Sequence, residues 1–182
     1  MRAVRLLLVA LAVTSCGGAA PKKDVVATTP AKAAAPAALS VDMKRLLDEH
    51  NARRKKHCAA PLAWSSEVAA VAQKWAERCK FEHSKGTYGE NLAMGTTGSI
   101  PAERVISMWY DEISKYDFAK PGFGMATGHF TQVVWKGTTH VGCGSAQCDG
   151  MTLWVCNYDP PGNFLRRFEE NVLPESCAQT SP

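Results

Sequence analysis

The sequence predicts a mixed α/β domain over residues 41–177, stapled by disulfides and preceded by a non-globular N-terminal segment. Three observations predict it. Apolar residues recur at helical spacing through the first half of the domain. The period changes to that of strands on either side of Asp149-Gly150. Six of the seven cysteines, Cys58 to Cys177, fall inside it, an even number that suits an oxidising compartment.

The chain opens with Arg2 and Arg5, an apolar run from Leu6 to Val13, and Val13-Thr14-Ser15-Cys16. That run is too short to span a bilayer, which takes about 20 residues, but it suits a signal-peptide core over residues 1–15. The tetrapeptide resembles a bacterial lipobox, which implies cleavage before Cys16 and acylation of its thiol and new amino terminus; plain secretion is the alternative. Gly17, rather than Asp, at the next position points to the outer membrane where the source has one. Residues 16–40 are rich in Ala, Pro, Thr and Lys and bury too little apolar surface to offset their ordering entropy, so they read as a flexible tether. Residues 178–182 read as a tail.

The formal charge of +4 lies entirely in residues 1–40, and the domain is neutral. A nucleic-acid partner is therefore not expected, since such binders show a basic field. The run Arg53-Arg54-Lys55-Lys56 reads as a solvated helix end, with His57 solvated beside it.

Met43, Leu46, Leu47, His50, Asn51 and Arg54 share one helical face, which predicts a first helix over 42–56. Ser65-Ser66 offers an N-cap, and Val68, Val71, Ala72, Trp75 and Cys79 follow at helical spacing, predicting a second helix over 66–80. Gly86, Gly89, Gly95 and Gly98 make the next stretch loop-like. A third helix starts near Pro101 and turns Val105, Ile106, Trp109 and Ile113 inward. Residues 117–127 read as loop, and His129 to Trp135 as a short helix.

Asp149-Gly150 is a two-residue hairpin signal, because both central positions of the tight turn need positive φ. It pairs His140–Gln147 with Met151–Tyr158 and sets Cys143 opposite Cys156. Counted back from the closing pair, that pair is a non-hydrogen-bonded one, with Cα atoms about 4.5 Å apart, at the near edge of the disulfide range. The register alone predicts a Cys143–Cys156 bridge.

Seven segments in order carry a resemblance. They are Leu47-x-x-His50-Asn51-x-x-Arg54; Pro61-Leu62-x-Trp64; Trp75-Ala76-x-x-Cys79 with His83-Ser84; Gly89-Glu90-Asn91-Leu92; Trp109-x-x-Glu112; Gly128-His129-Phe130-Thr131-Gln132-Val133-Val134-Trp135; and Val155-Cys156-Asn157-Tyr158-x-Pro160-x-Gly162-Asn163-Phe164. Together they resemble the CAP superfamily of cysteine-rich secretory, antigen 5 and pathogenesis-related 1 proteins. The resemblance implies an α-β-α sandwich with a small, largely antiparallel sheet between helical layers. It implies a second bridge, Cys79–Cys148, and leaves Cys58 and Cys177, whose pairing would tie the tail to the first turn. Thr127 stands where many relatives have cysteine.

The resemblance also places His83, Glu90, Glu112 and His129 at the family's cleft positions. Imidazole nitrogen and carboxylate oxygen suit zinc and similar divalent ions. The same four residues could instead form a polar network that pins the cleft floor. Other chemistries find no support in the sequence: there is no Gly-x-Ser-x-Gly, no His-Glu-x-x-His, no Cys-x-x-Cys and no phosphate-binding Gly-x-x-x-x-Gly-Lys. Trp109, Tyr110 and Trp135 read as core or cleft wall, His50 and His140 as structural, and Asn91 and Gln132 as partners for backbone groups around the cleft. Two function classes follow: an extracytoplasmic binding module for a small apolar, lipid-like ligand or a protein partner, or a metal-assisted hydrolase using the same tetrad.

Overall fold

The computed structural model describes residues 38–175 and 177; the signal segment, Cys16, most of the tether and the tail lie outside the described residues. Helix α1 (Val41–Lys56) is followed by a two-residue strand β1 (Ala63–Trp64), helix α2 (Ser66–Ala76), strand β2 (Gly89–Thr96) and helix α3 (Ala102–Tyr110), which runs into a 3-10 turn, Asp111–Lys115. Then come α4 (Gly128–Val134), the hairpin β3 (His140–Cys148) and β4 (Met151–Asp159), and a one-turn α5 (Phe168–Asn171). The strands form one sheet in the order β1-β3-β4-β2, in which only β1 runs parallel to its neighbour.

The layers follow from strand parity. Val141, Cys143, Trp154, Cys156, Tyr158 and Ala93 face a core shared with Leu46 of α1, Val105, Ile106 and Trp109 of α3, and Phe130 and Val133 of α4. Leu92, Leu153 and Val155 point the other way, onto Ala72 and Ala76 of α2. Opposite faces of one sheet are thus each covered by helix, the expected α-β-α sandwich.

Helix α1 is capped by Ser40, whose hydroxyl accepts from Met43 N at 3.3 Å. It buries Leu46, His50 and Arg54, one residue per turn. Burial of Arg54 corrects the reading of residues 53–56 as a solvated end. Its guanidinium donates to the carbonyls of Ala60, Val133, Trp135 and Thr138 at 2.8–3.1 Å, two of them at the C-terminus of α4. His57 is likewise buried, with Nδ1 bonded to Leu173 O and Nε2 2.9 Å from the Tyr110 hydroxyl.

Helix α2 is capped by Ser65 and ends at Ala76, short of the expected residue 80. Cys79 turns the chain away at φ 55° to reach Cys148, with Cα atoms 5.4 Å apart. Val71 is exposed rather than inward, so the buried stripe is the narrower Val68, Ala72, Ala76. The helix lies flush on β3 because Gly142 and Gly144 carry no side chain there: a Cβ on either would collide with the backbone of Ala69 or Gln73.

Strand β2 corrects the loop reading of residues 86–98. The hairpin has the predicted register, Cys143 opposite Cys156, with Asp149 at φ 48° and Gly150 at φ 79°. Cys143 and Cys156 are bridged across Cα atoms 4.1 Å apart, and Cys58 and Cys177 across 6.2 Å.

Candidate functional site

Strand β2 is an edge strand, and the loop after α2 and the start of α4 both meet its first residues, Glu90 and Asn91. His83, in the turn after α2, reaches it from one side. Its loop is held by the Cys79–Cys148 bridge and by Trp75 Nε1, which donates to Glu82 O at 2.8 Å while Arg78 lies 4.5 Å above the indole. His129, in the first turn of α4, reaches it from the other side. Between them lies a cleft of about 120 Å³ lined by His83, Glu90, Asn91, Phe123, Met125, Gly128, His129 and Asn163.

The four tetrad residues are arranged as two pairs. His83 Nδ1 lies 2.9 Å from Glu90 Oε1, and the same oxygen accepts from Ser84 N at 2.8 Å. His129 Nδ1 lies 2.7 Å from Glu112 Oε1. A carboxylate only accepts, so each imidazole donates through Nδ1, which leaves Nε2 as the lone-pair nitrogen of the neutral ring. This is the orientation that carboxylate partners give to metal-binding histidines.

The two carboxylates do different work. Glu112 does not line the cleft. Its Oε2 accepts from the backbone N–H groups of His129 and Phe130, at 3.0 and 3.1 Å. Helix α4 has no side-chain cap of its own at Thr127, so Glu112 caps it from the preceding turn while aiming the imidazole. Glu90 is 6 % exposed against 62 % for His83, and its Oε2 is buried with no hydrogen-bond partner. Of the four residues that the resemblance set at the cleft, His83, Glu90 and His129 line it and Glu112 stands behind His129. Among the described residues, no three His, Cys, Asp or Glu side chains converge as a ready ligand set.

A buried relay fixes the height of His129. Asn91 Nδ2 donates to His129 O at 3.1 Å and to the Tyr158 hydroxyl at 3.2 Å. The hydroxyl lies 2.7 Å from His50 Nε2, and His50 Nδ1 lies 2.8 Å from Leu46 O. A carbonyl only accepts, so His50 carries its proton on Nδ1 and takes that of Tyr158 on Nε2. Burial pushes the His50 pKa down to about 4, against the opposing pull of the Leu46 carbonyl. Trp109 backs the cleft, stacked on the His129 ring at 6.1 Å and 15°. Gln132 is 2 % exposed and accepts from Gly162 N at 2.9 Å.

Sequence reasoning did not single out Phe123, Met125 or Asn163 as cleft residues. The first two sit in the loop before α4, where no periodicity marks an inward face. Asn163, at φ 59°, bonds Gly128 O and the Thr131 hydroxyl at 2.9 and 2.6 Å. Its signal was its place at the end of the seventh segment. Larger hollows occur elsewhere, of about 340 Å³ beside Asp42, Ser145 and Trp154 and about 600 Å³ beside Asn51 and Pro61. Neither is lined by histidine, so the chemistry points to the smaller cleft.

Residues 47–158 match the sequence profile of the cysteine-rich secretory protein family, CAP. The chain is 45 % identical over 140 residues to Protein PRY2 of Saccharomyces cerevisiae, covering 71 % of this chain and 40 % of that protein. It is 43 % identical over 125 residues to pathogenesis-related protein 1A of Nicotiana tabacum, covering 65 % and 74 %. Its fold is similar to that of Schistosoma mansoni venom allergen-like protein 4, with a TM-score of 0.64 at 28 % identity over 76 % of this chain and 99 % of that one. It is also similar to NaASP2, solved with Zn2+, with a TM-score of 0.62 at 25 % identity over 80 % and 93 %. The chain thus spans well under half the length of the yeast relative and three quarters of the tobacco one. Three oxidised cysteine pairs and this kinship mark an exported domain. The chain belongs to the cysteine-rich secretory protein (CAP) family.

Proposed function

We propose that this is a membrane-tethered extracytoplasmic binding module whose cleft holds a divalent metal, most simply zinc, through Nε2 of His83 and of His129. The observation that carries the reading is the pairing of each imidazole with a carboxylate through Nδ1, which turns two lone-pair nitrogens to metal-binding use in a cleft open to solvent. The donor set fits a borderline ion. Zinc there would supply a Lewis acid with open coordination positions. Phe123 and Met125 flank the imidazoles with apolar surface, which suits a small apolar ligand or an apolar side chain of a protein partner.

A second reading, metal-assisted hydrolysis, rests on one observation: Glu90 Oε2 lies buried beside the cleft and accepts no hydrogen bond. The other carboxylate, Glu112, has both oxygens engaged.

Calorimetric titration of zinc into wild type, His83→Ala and His129→Ala tests the metal. Binding is expected in wild type, with a rise in melting temperature that both variants lose, because a ligand of the folded state stabilises it by mass action. Affinity should fall in acid, where protons compete for the imidazoles. Equal affinity in all three proteins would place the metal elsewhere and leave the tetrad a structural network. The tether rests on the lipobox at Cys16. Cys16→Ser should move the protein from the membrane to the soluble fraction, and identical fractionation of the two forms would refute acylation.

A further inference from the structure

A hollow of about 340 Å³ lies at the far end of β2 from the tetrad. There the sheet outruns the helices. Thr152 stands opposite Gln147 and Trp154 opposite Ser145, so these four side chains share the sheet face that carries the larger core. Helices α1 and α3 cover that face but begin beside these two rows, with Asp42 in the first turn of α1 and Pro101 at the N-cap of α3. Both residues line the hollow, and Ile100 forms a further wall. Ile100 lies flat on the sheet because Gly95 has no side chain: a Cβ there would come within 3.0 Å of it. Gly98, at φ 82°, turns the chain between Thr97 and Ile100, which face the same space.

The polar groups of this hollow are largely unengaged. The Ser145 hydroxyl, the Gln147 amide and the Asp42 carboxylate have no hydrogen-bond partner among the described residues. Thr152 donates to the Thr97 hydroxyl at 3.4 Å. Trp154, 5 % exposed, lies at the floor, and its Nε1 is buried with no partner among the described residues. A buried donor left unpaired is costly, and an oxygen brought to it removes the cost. The chemistry narrows the ligand. No lysine, arginine or histidine lines the hollow, so a phosphate or carboxylate would meet Asp42 with no counter-charge. An apolar chain would take water from Asp42, Ser145 and Gln147 and return no hydrogen bonds. An ammonium would use Asp42 and leave the donors of Gln147 and Trp154 unpaired. A neutral sugar ring meets every condition: its hydroxyls both donate and accept, and its C–H face packs on Ile100 and Pro101. The volume falls in the usual range for small-ligand sites, about 300–1,000 Å³.

We propose that this hollow binds a neutral sugar ring. The Asp42 carboxylate accepts from ring hydroxyls, the Gln147 amide and the Ser145 hydroxyl bond it from β3, and a sugar oxygen accepts from Trp154 Nε1. That N–H has almost no exposed surface, so the last bond forms with a side-chain adjustment in the wall, a change common on binding. The site is independent of the metal reading of the cleft, because it shares no residue with it.

Nuclear magnetic resonance of the isotope-labelled full chain tests the site, with glucose, N-acetylglucosamine and the linear trimer of N-acetylglucosamine as probes. The indole N–H signal of Trp154 is expected to move saturably, with a dissociation constant on the order of 1 mM. Those of Trp64, Trp75, Trp109 and Trp135 should hold. Asp42→Asn and Gln147→Ala each remove hydrogen bonds at exposed positions and should weaken binding about tenfold. A trimer that binds more tightly than the single ring assigns the ligand to a glycan chain; equal or weaker binding of the trimer assigns it to a free sugar. No saturable movement of the Trp154 signal with any probe up to about 10 mM would overturn the proposal. So would movement of the other four indole signals in its place, or undiminished affinity in both variants.

Discussion

Arg54 joins three parts of the chain through a single side chain. Its guanidinium gathers carbonyls from the turn after α1, the end of α4 and the start of the hairpin connection. Burial lowers its pKa to about 10, which leaves it charged at neutral pH. The carbonyls at the end of α4 supply partial negative charge that offsets some of the desolvation. Arg54→Met should remove four donated hydrogen bonds, with only Trp135 O keeping a second donor in Thr138 N, and cost on the order of 3 kcal/mol or more, since each lost hydrogen bond is worth about 1 kcal/mol. Arg54→Lys should recover less than half of that, because an ammonium cannot reproduce the planar fork. Urea denaturation of the two variants beside wild type measures both quantities. An Arg54→Met variant within about 1 kcal/mol of wild type would show that water replaces the guanidinium.

At the scale of elements, the outer edge of β3 poses a problem that α2 solves. Strand β1 covers only the first two residues of that edge, His140 and Val141. Further along, the Gln73 amide behaves as a one-residue strand: its Oε1 accepts from Ser145 N and its Nε2 donates to Ser145 O, both at 3.0 Å. Gln73→Ala should unpair both groups, cost about 2 kcal/mol and leave the edge open to pairing with a second chain. Denaturant midpoints and light scattering would register the two effects separately. Nothing in the sequence marked Gln73 for this role, because it depends on a helix crossing a strand about 70 residues away. The hairpin could be read in advance because Asp149-Gly150 dictates its turn locally. Strand β2 could not: Gly89, Asn91 and Gly95 weaken its strand character, and it gains order from pairing with β4. Arg54 lay on the apolar face by its spacing, but its charge argued the other way, and only the distant carbonyls reverse that argument. For the cleft, the four polar residues were named by the family resemblance and not by any local pattern. The split between Glu112 as cap and Glu90 as inward acid depends on the start of α4, which no local pattern specifies.

The whole molecule has an acid limit built into its centre. His50 is buried neutral, with a pKa of about 4 against an ordinary value of 6.5. The unfolded chain therefore binds a proton that the folded chain refuses, and stability is full above about pH 6.5 and falls as pH drops toward 4. The loss over that window is on the order of 3 kcal/mol, a sizeable part of a typical total of about 5–15. His57, shifted in the same direction, adds to it. Urea midpoints at pH 7.5, 6 and 5 should fall in that order, and the slope should flatten in His50→Gln; a flat wild-type profile would mean that His50 titrates as it does in water. The way the cleft is mounted has a different consequence. One lip is clamped at Trp75–Glu82 and Cys79–Cys148; the other starts from Glu112 beneath α4 and ends where Asn163 holds Gly128. Residues 119–126, between Glu112 and Gly128, carry Phe123 and Met125 onto the cleft like one jaw of a vice. On the proposed binding reading, a graft of that jaw from a relative should transfer selectivity while the clamps hold the floor.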